Sequence, residues 1–197
     1  MTRSRAISCN SSRALYASCM EELLTRVASD QRTPAAGSAA AAVAALAAAL
    51  VTKAARRSRD VWPAAGGSIA QAAALDARLR EVAEGLEQSY QQAIGSLQAG
   101  DADAIAQALP QAAQDPLELA RVAADIGLLA VEAAHRCDQA HHADVTVAAM
   151  LAEAAARSAA HLVDVNLLSR TDDARSSEAR MLVARAAEAA AALASED

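Results

Sequence analysis

Residues 33–57, TPAAGSAAAAVAALAAALVTKAARR, carry no charge between Arg32 and Lys53. A helix with a polar face suits a protein surface, whereas one that is apolar all round must be covered on every side by protein or by lipid. Alanine has the highest helix propensity, and its small side chain lets neighbouring backbones approach closely. The stretch therefore reads as a central, Ala-rich helix of a helical domain. Its entry carries Thr33 and Pro34 as a first-turn signal, Gly37 with no side chain, and Ser38 beside backbone N–H groups that lack intrahelical partners. Such a terminus attracts anionic or carbonyl oxygens, and it is equally an ordinary capped helix end.

The whole chain supports the same fold class. Its 197 residues suffice for one domain with a sizeable core. Apolar residues make up 54% but aromatics only 2%, with no Phe, so Ala, Leu and Val must form the core between closely packed helices. A net charge of −6 argues against a nucleic-acid partner, which requires a concentrated basic face; Lys53, Arg56, Arg57 and Arg59 form only a local cluster. Cys9, Cys19 and Cys137 form no CxxC pair and are odd in number, which points to a reducing cytoplasm rather than a disulfide framework. Residues 1–12 read as a flexible leader and 13–197 as the domain. Alanine dominates the one uncharged stretch long enough to span a bilayer, whereas membrane insertion depends on Leu, Ile and Phe, so no membrane span is expected.

Periodicity places the remaining helices. Residues 13–29 form a first helix. After the Ala-rich segment, RSRDVWPAAGGS reads as a loop, with Trp62 packed against a helix or covering a pocket mouth. A long helix over 68–97 carries Leu75, Leu79, Val82, Leu86, Tyr90 and Leu97 inward and Arg78, Glu81, Glu84 and Glu87 outward. Residues 101–109 form a short helix stopped by Pro110, and Asp115-Pro116-Leu117-Glu118 is a start signal with Asp115 as N-cap. That helix runs to Cys137 with Leu119, Val122, Ile126, Leu129 and Ala133 as its apolar stripe and Glu118, Arg121, Asp125, Glu132 and Arg136 as a solvated face. Helices over 145–168 and 173–194, the latter after a Thr171 cap, complete an all-α chain.

The connection DQAHHAD gathers His141, His142, Asp138 and Asp144, with His135 before it and His161 after it. Adjacent histidines in a loop point apart, so no metal site is expected. Asp144 suits the N-cap of the following helix and equally suits acid/base chemistry.

In series these stretches resemble a known family. TPAAGSAAAAVAALAAALV is similar to the P-x-P-G-G-G-S-V-A-A-L-A-G-A-L-x-A-A-L opening of the cyclodeaminase/cyclohydrolase family, which includes the C-terminal half of formiminotransferase-cyclodeaminase. ALPQAAQDPLELA resembles that family's A-A-x-x-P-L-x-x-A stretch. HHADVTVAAMLAEAAARSAAHLVDVNLL resembles its N-x-x-S-D-x-x-V-A-A segment and N-V-x-x-N-L ending. The resemblance covers about residues 20–172. It implies long packed helices, a homodimer with sites near the subunit interface, and a one-carbon tetrahydrofolate as substrate, without metal or cofactor. Cyclodeaminases close 5-formiminotetrahydrofolate to 5,10-methenyltetrahydrofolate with loss of ammonia; related cyclohydrolases interconvert methenyl and 10-formyl forms. Asp144 matches the aspartate of the S-D motif, Gly37 and Ser38 the end of the glycine-rich opening, and Asn166 the last asparagine.

From these matches, Asp144 is the expected proton-handling group, with His141 or His142 beside it, while Gly37, Ser38 and Asn166 hold the substrate. Lys53 is assigned to the folate's glutamate tail from its charge. Ala35 and Ala36 stand where the family has glycines, Tyr90 where it has an aspartate, Ala143 where it has a serine, and Leu162 where it has an asparagine. A helical dimer that keeps the scaffold without the reaction therefore stands as the alternative, as does association through the Ala-rich faces alone. The catalytic reading requires the Gly37 and Asp144 helix starts to converge on one cavity.

Overall fold

The computed structural model describes residues 21–33, 35–167 and 172–195. The expected leader at 1–12, the first half of the 13–29 helix, Pro34 and the Thr171 cap lie outside them. The chain divides into two units, residues 1–35 and 36–197. In the first, residues 21–27 are helical.

The second unit holds α1 (Ala36–Arg57), α2 (Ala65–Ala99), α3 (Ala102–Ala112), α4 (Gln114–Ala134), a 3-10 turn (Gln139–His141), α5 (His142–Leu167) and α6 (Ala174–Ala194). No strand occurs among the described residues. Helix α4 packs against α1, α2, α5 and α6, and α1 lies between α2 and α5. The core is mostly alanine, joined by Val51, Leu117, Leu119, Val122, Ile126, Val145 and Val163, all fully buried. Small side chains along α1 and α5 permit close packing over their whole length.

Helix boundaries differ from the sequence expectations where local signals compete. Helix α2 begins at Ala65, so Gly66 and Gly67 are helical and the loop is confined to 58–64. Its end is set by Gly100, whose φ of 67° is the left-handed conformation a glycine adopts without steric cost. Pro110 lies inside the last turn of α3 rather than stopping it, so the helix proceeds with one backbone bond fewer. Asp101 caps α3 by accepting from the N–H groups of Asp103 and Ala104. Asp115 is not an N-cap: α4 starts one residue earlier, and Asp115 lies in its first turn.

The charged stripe of α4, expected to face solvent, ties three helices together. Arg78 of α2 pairs with Glu118, and Arg185 of α6 reaches Asp125 at 2.6 Å. Arg121 bridges Glu118 at 3.2 Å and Glu178 of α6 at 2.7 Å. The bond to Glu178 is the main cause that raises the Arg121 pKa, against an opposing effect of burial. Glu132 and Arg136 form an i,i+4 pair at 3.5 Å.

Among the described residues of the second unit, the apolar cover that α1 demands is incomplete. Nine of its residues, Gly37 to Ala55, are buried against the neighbouring helices. Leu46 is 48% exposed, and beside α1 the α5 residues Val147 and Met150 are 45% and 46% exposed. Helix α1 also has the length and hydropathy of a membrane-crossing helix, a property it shares with core helices.

Candidate functional site at the ends of two antiparallel helices

Helix α1 ends in a basic turn and α5 starts in an acidic one, and their packing brings the two ends together. Lys53 Nζ donates to Asp144 Oδ1 at 3.0 Å and lies 2.9 Å from Oδ2. On the other side of the carboxylate, His141 Nδ1 stands 3.6 Å from Oδ2, in ion-pair range but longer than a direct hydrogen bond. The Asp144 side chain is 24% exposed and His141 17%, so the group is sheltered yet open to solvent. A carboxylate in the first turn of a helix is stabilised by the positive end of the helix dipole, which favours Asp144 there, while Lys53 stands one turn before the end of α1. Asp144 is therefore not the N-cap that its spacing suggested. Asp138 caps the 3-10 turn instead, accepting from Ala140 N–H at 2.8 Å, and that turn runs directly into α5. His142 opens α5, its N–H bonded to the Gln139 carbonyl.

The remaining sequence candidates lie elsewhere. Gly37 and Lys53 are 16 residues apart on one helix, roughly 24 Å at 1.5 Å per residue, and Asn166 is about 33 Å along α5 from Asp144. The convergence of Gly37 and Asp144 on one cavity does not occur within a single chain. The reason is geometric: α1 and α5 run antiparallel, so the start of each faces the end of the other.

At the Gly37 end, the space left by the missing side chain is taken by α2. A Cβ at Gly37 would stand 3.1 Å and 3.3 Å from the two terminal methyl carbons of Leu86. Ser38 Oγ donates to Glu87 Oε1 at 3.2 Å. The sequence pattern puts Glu87 on the outer face of α2 and Tyr90 where the resembled family has an acid; the structure supplies an acid a turn earlier, Glu87, partly buried against Ser38. The signal was its place next to Leu86, at the border of the apolar stripe. Nearby, α1 and α5 line an open cavity of about 370 Å³, chiefly with Ala36, Ala39, Val43, Ser158, His161 and Leu162. Asn166 donates from Nδ2 to the Ala112 carbonyl at 2.8 Å, closing the end of α3.

Trp62 is buried at 4% exposure and belongs to the core rather than to a pocket mouth, with the Arg136 guanidinium 6.0 Å from its ring centre. Burial raises the pKa of the neighbouring Cys137 thiol. Among the described residues no three His, Cys, Asp or Glu side chains are gathered to hold a metal ion.

This architecture is similar to that of formiminotetrahydrofolate cyclodeaminase from Thermotoga maritima, whose crystal structure superposes with a TM-score of 0.75 and 19% sequence identity, covering 89% of this chain and 96% of that one. No curated protein matches the sequence significantly. A family profile described as formiminotransferase-cyclodeaminase matches residues 19–185. That span takes in α1 with its Ala-rich core, the Lys53–Asp144 junction and most of α6, and on it the chain belongs to the formiminotransferase-cyclodeaminase family.

Proposed function

We propose that the protein is a one-carbon tetrahydrofolate enzyme of the formiminotetrahydrofolate cyclodeaminase or methenyltetrahydrofolate cyclohydrolase type, acting in the cytoplasm. The observation that carries this reading is the Asp144 carboxylate held between Lys53 and His141 at a sheltered helix junction. Cyclodeamination closes a ring when N10 attacks the formimino carbon. The N10 proton must leave and the departing nitrogen must be protonated to go as ammonia. Hydrolysis of the methenyl form adds water to the same carbon and reopens the ring to the 10-formyl form with release of a proton. Both reactions turn on one group that takes and returns a proton at a fixed point.

Asp144 is that group in this proposal. Lys53 orients it, and His141, with His142 following, carries the proton onward. Beyond Lys53, the exposed Arg56 and Arg57 offer positive charge to the folate's glutamate carboxylates.

The Gly37, Ser38 and Glu87 end enters through a second copy of the chain. Leu46 lies exposed near the midpoint of α1, and Val147 and Met150 are exposed on the adjoining α5. A two-fold pairing of α1 helices across Leu46 covers that apolar face. It also sets the acidic Glu84–Glu87 end of one protomer beside the basic Lys53–Arg57 end of its partner. In that arrangement the Ser38 hydroxyl and the 370 Å³ cavity of one protomer adjoin Asp144 of the other.

The test is to mix the purified protein with 5-formiminotetrahydrofolate and, separately, with 5,10-methenyltetrahydrofolate, following the methenyl absorbance. A rise with the first substrate identifies the deaminase and a fall with the second the hydrolase. No change above buffer with either, together with no folate binding by calorimetry, overturns the proposal.

A further inference from the structure

Ser58 is the most deeply buried polar residue at this end of the molecule, at 1% exposure, and it follows directly on the last residue of α1. Its backbone carbonyl accepts from the N–H groups of Val61 and Trp62 at 3.1 Å and 2.7 Å, which fixes the turn after α1. Its side chain does something different. Ser58 Oγ accepts from the backbone N–H of Asp138 at 2.9 Å, a bond between segments 80 residues apart. Asp138 in turn governs the 3-10 turn, its Oδ1 accepting from Ala140 N–H and its carbonyl from His141 N–H, both at 2.8 Å. The connection carrying His141 is thus anchored to the end of the helix carrying Lys53.

A second contact runs in parallel. Trp62, four residues past Ser58, lies under the guanidinium of Arg136, two residues before Asp138. Trp62 and Arg136 hold the two connections side by side, but their contact is apolar and cationic and tolerates sliding. The Ser58 bond is directional and fixes register, joining a fully buried hydroxyl to the backbone of the connection.

We infer that Ser58 is a positioning residue for the Asp144 site: through Asp138 it holds the His141 imidazole 3.6 Å from the Asp144 carboxylate. This rests on the reading of Asp144 as the reacting group, and it is testable apart from turnover. The Asp144–Lys53 pair joins two helices and does not need Ser58; His141 sits on a three-residue turn and does.

The experiment uses the full chain, with the His141 ring signal followed by NMR at one fixed pH and assigned by its loss in His141→Gln. Asp144→Asn displaces that signal in the wild-type background. In Ser58→Ala the displacement falls to less than half, and in Ser58→Thr, which keeps a hydroxyl, it returns. An equal displacement in all three backgrounds, or none in the wild type, overturns the inference. Should Ser58→Ala fail to fold, the Asp138 amide of the wild-type protein decides: protection from hydrogen exchange supports the anchor, and exchange at the rate of an unstructured amide overturns it. Where turnover is measurable, Ser58→Ala lowers kcat by roughly 10- to 100-fold with KM little changed, as misplacement of a catalytic group does. An unchanged kcat overturns the positioning role, whereas a wild-type protein with neither turnover nor folate binding refutes the proposed function and leaves the NMR test standing.

Discussion

Asp144 and Lys53 meet across 91 residues of sequence, a contact that the packing of α5 on α1 makes and that the spacing of neither residue contains. Gly37 was read as bare backbone for a ligand, whereas Leu86 occupies the space beside it. Gly37→Val therefore destabilises the protein by about 1–3 kcal/mol through overpacking against Leu86, measurable as a lower urea midpoint. A Gly37→Val protein as stable as the wild type would restore the idea that this position faces open space. Glu87 escaped notice because a residue at the edge of an apolar stripe is assigned by sequence to solvent, while the helix packed on that edge, here α1, decides its surroundings.

At the scale of elements, α1 and α5 were legible because alanine in long uncharged runs has one economical use, close helix packing. Helix ends were less legible: Asp115 and Pro110 carry strong start and stop signals that tertiary packing overrides. The charged stripe of α4 was taken for a solvated face, since periodicity reports that a stripe is polar but not whether neighbouring helices bring opposite charges to it. The Arg121–Glu178 pair joining α4 to α6 gives that stripe a pH signature. The Arg121 hydrogen bond, reinforced by its charge and opposed by slight burial, holds the Glu178 pKa below its ordinary value. The stability it contributes is fully present above the unfolded glutamate value of about 4.3 and is lost as pH falls through the depressed folded value. Glu178→Gln accordingly costs less than about 1 kcal/mol at pH 7, since both groups reach solvent, and costs nothing in acid below the folded value. Urea melts of the two proteins at neutral and acidic pH check this, and a cost that grows toward acid contradicts it.

For the whole molecule, the open face of α1 is the feature with the widest consequences. This helix needs cover on every side, and among the described residues α2, α4 and α5 provide it on the sides they face. In the proposed dimer a second copy completes the cover and brings the separated halves of the proposed site together. Leu46→Arg therefore yields a folded monomer by light scattering, with unchanged helical circular dichroism and lost turnover; a dimer that survives the change places the interface elsewhere. The most direct trial of the account is Asp144→Asn, compared with the wild type in the methenyl absorbance assay and in folate-binding calorimetry. With its proton-handling group gone, the variant turns over about 100-fold more slowly or worse while binding folate with nearly the wild-type affinity; a variant with full activity would show that the carboxylate between Lys53 and His141 is not where the chemistry happens.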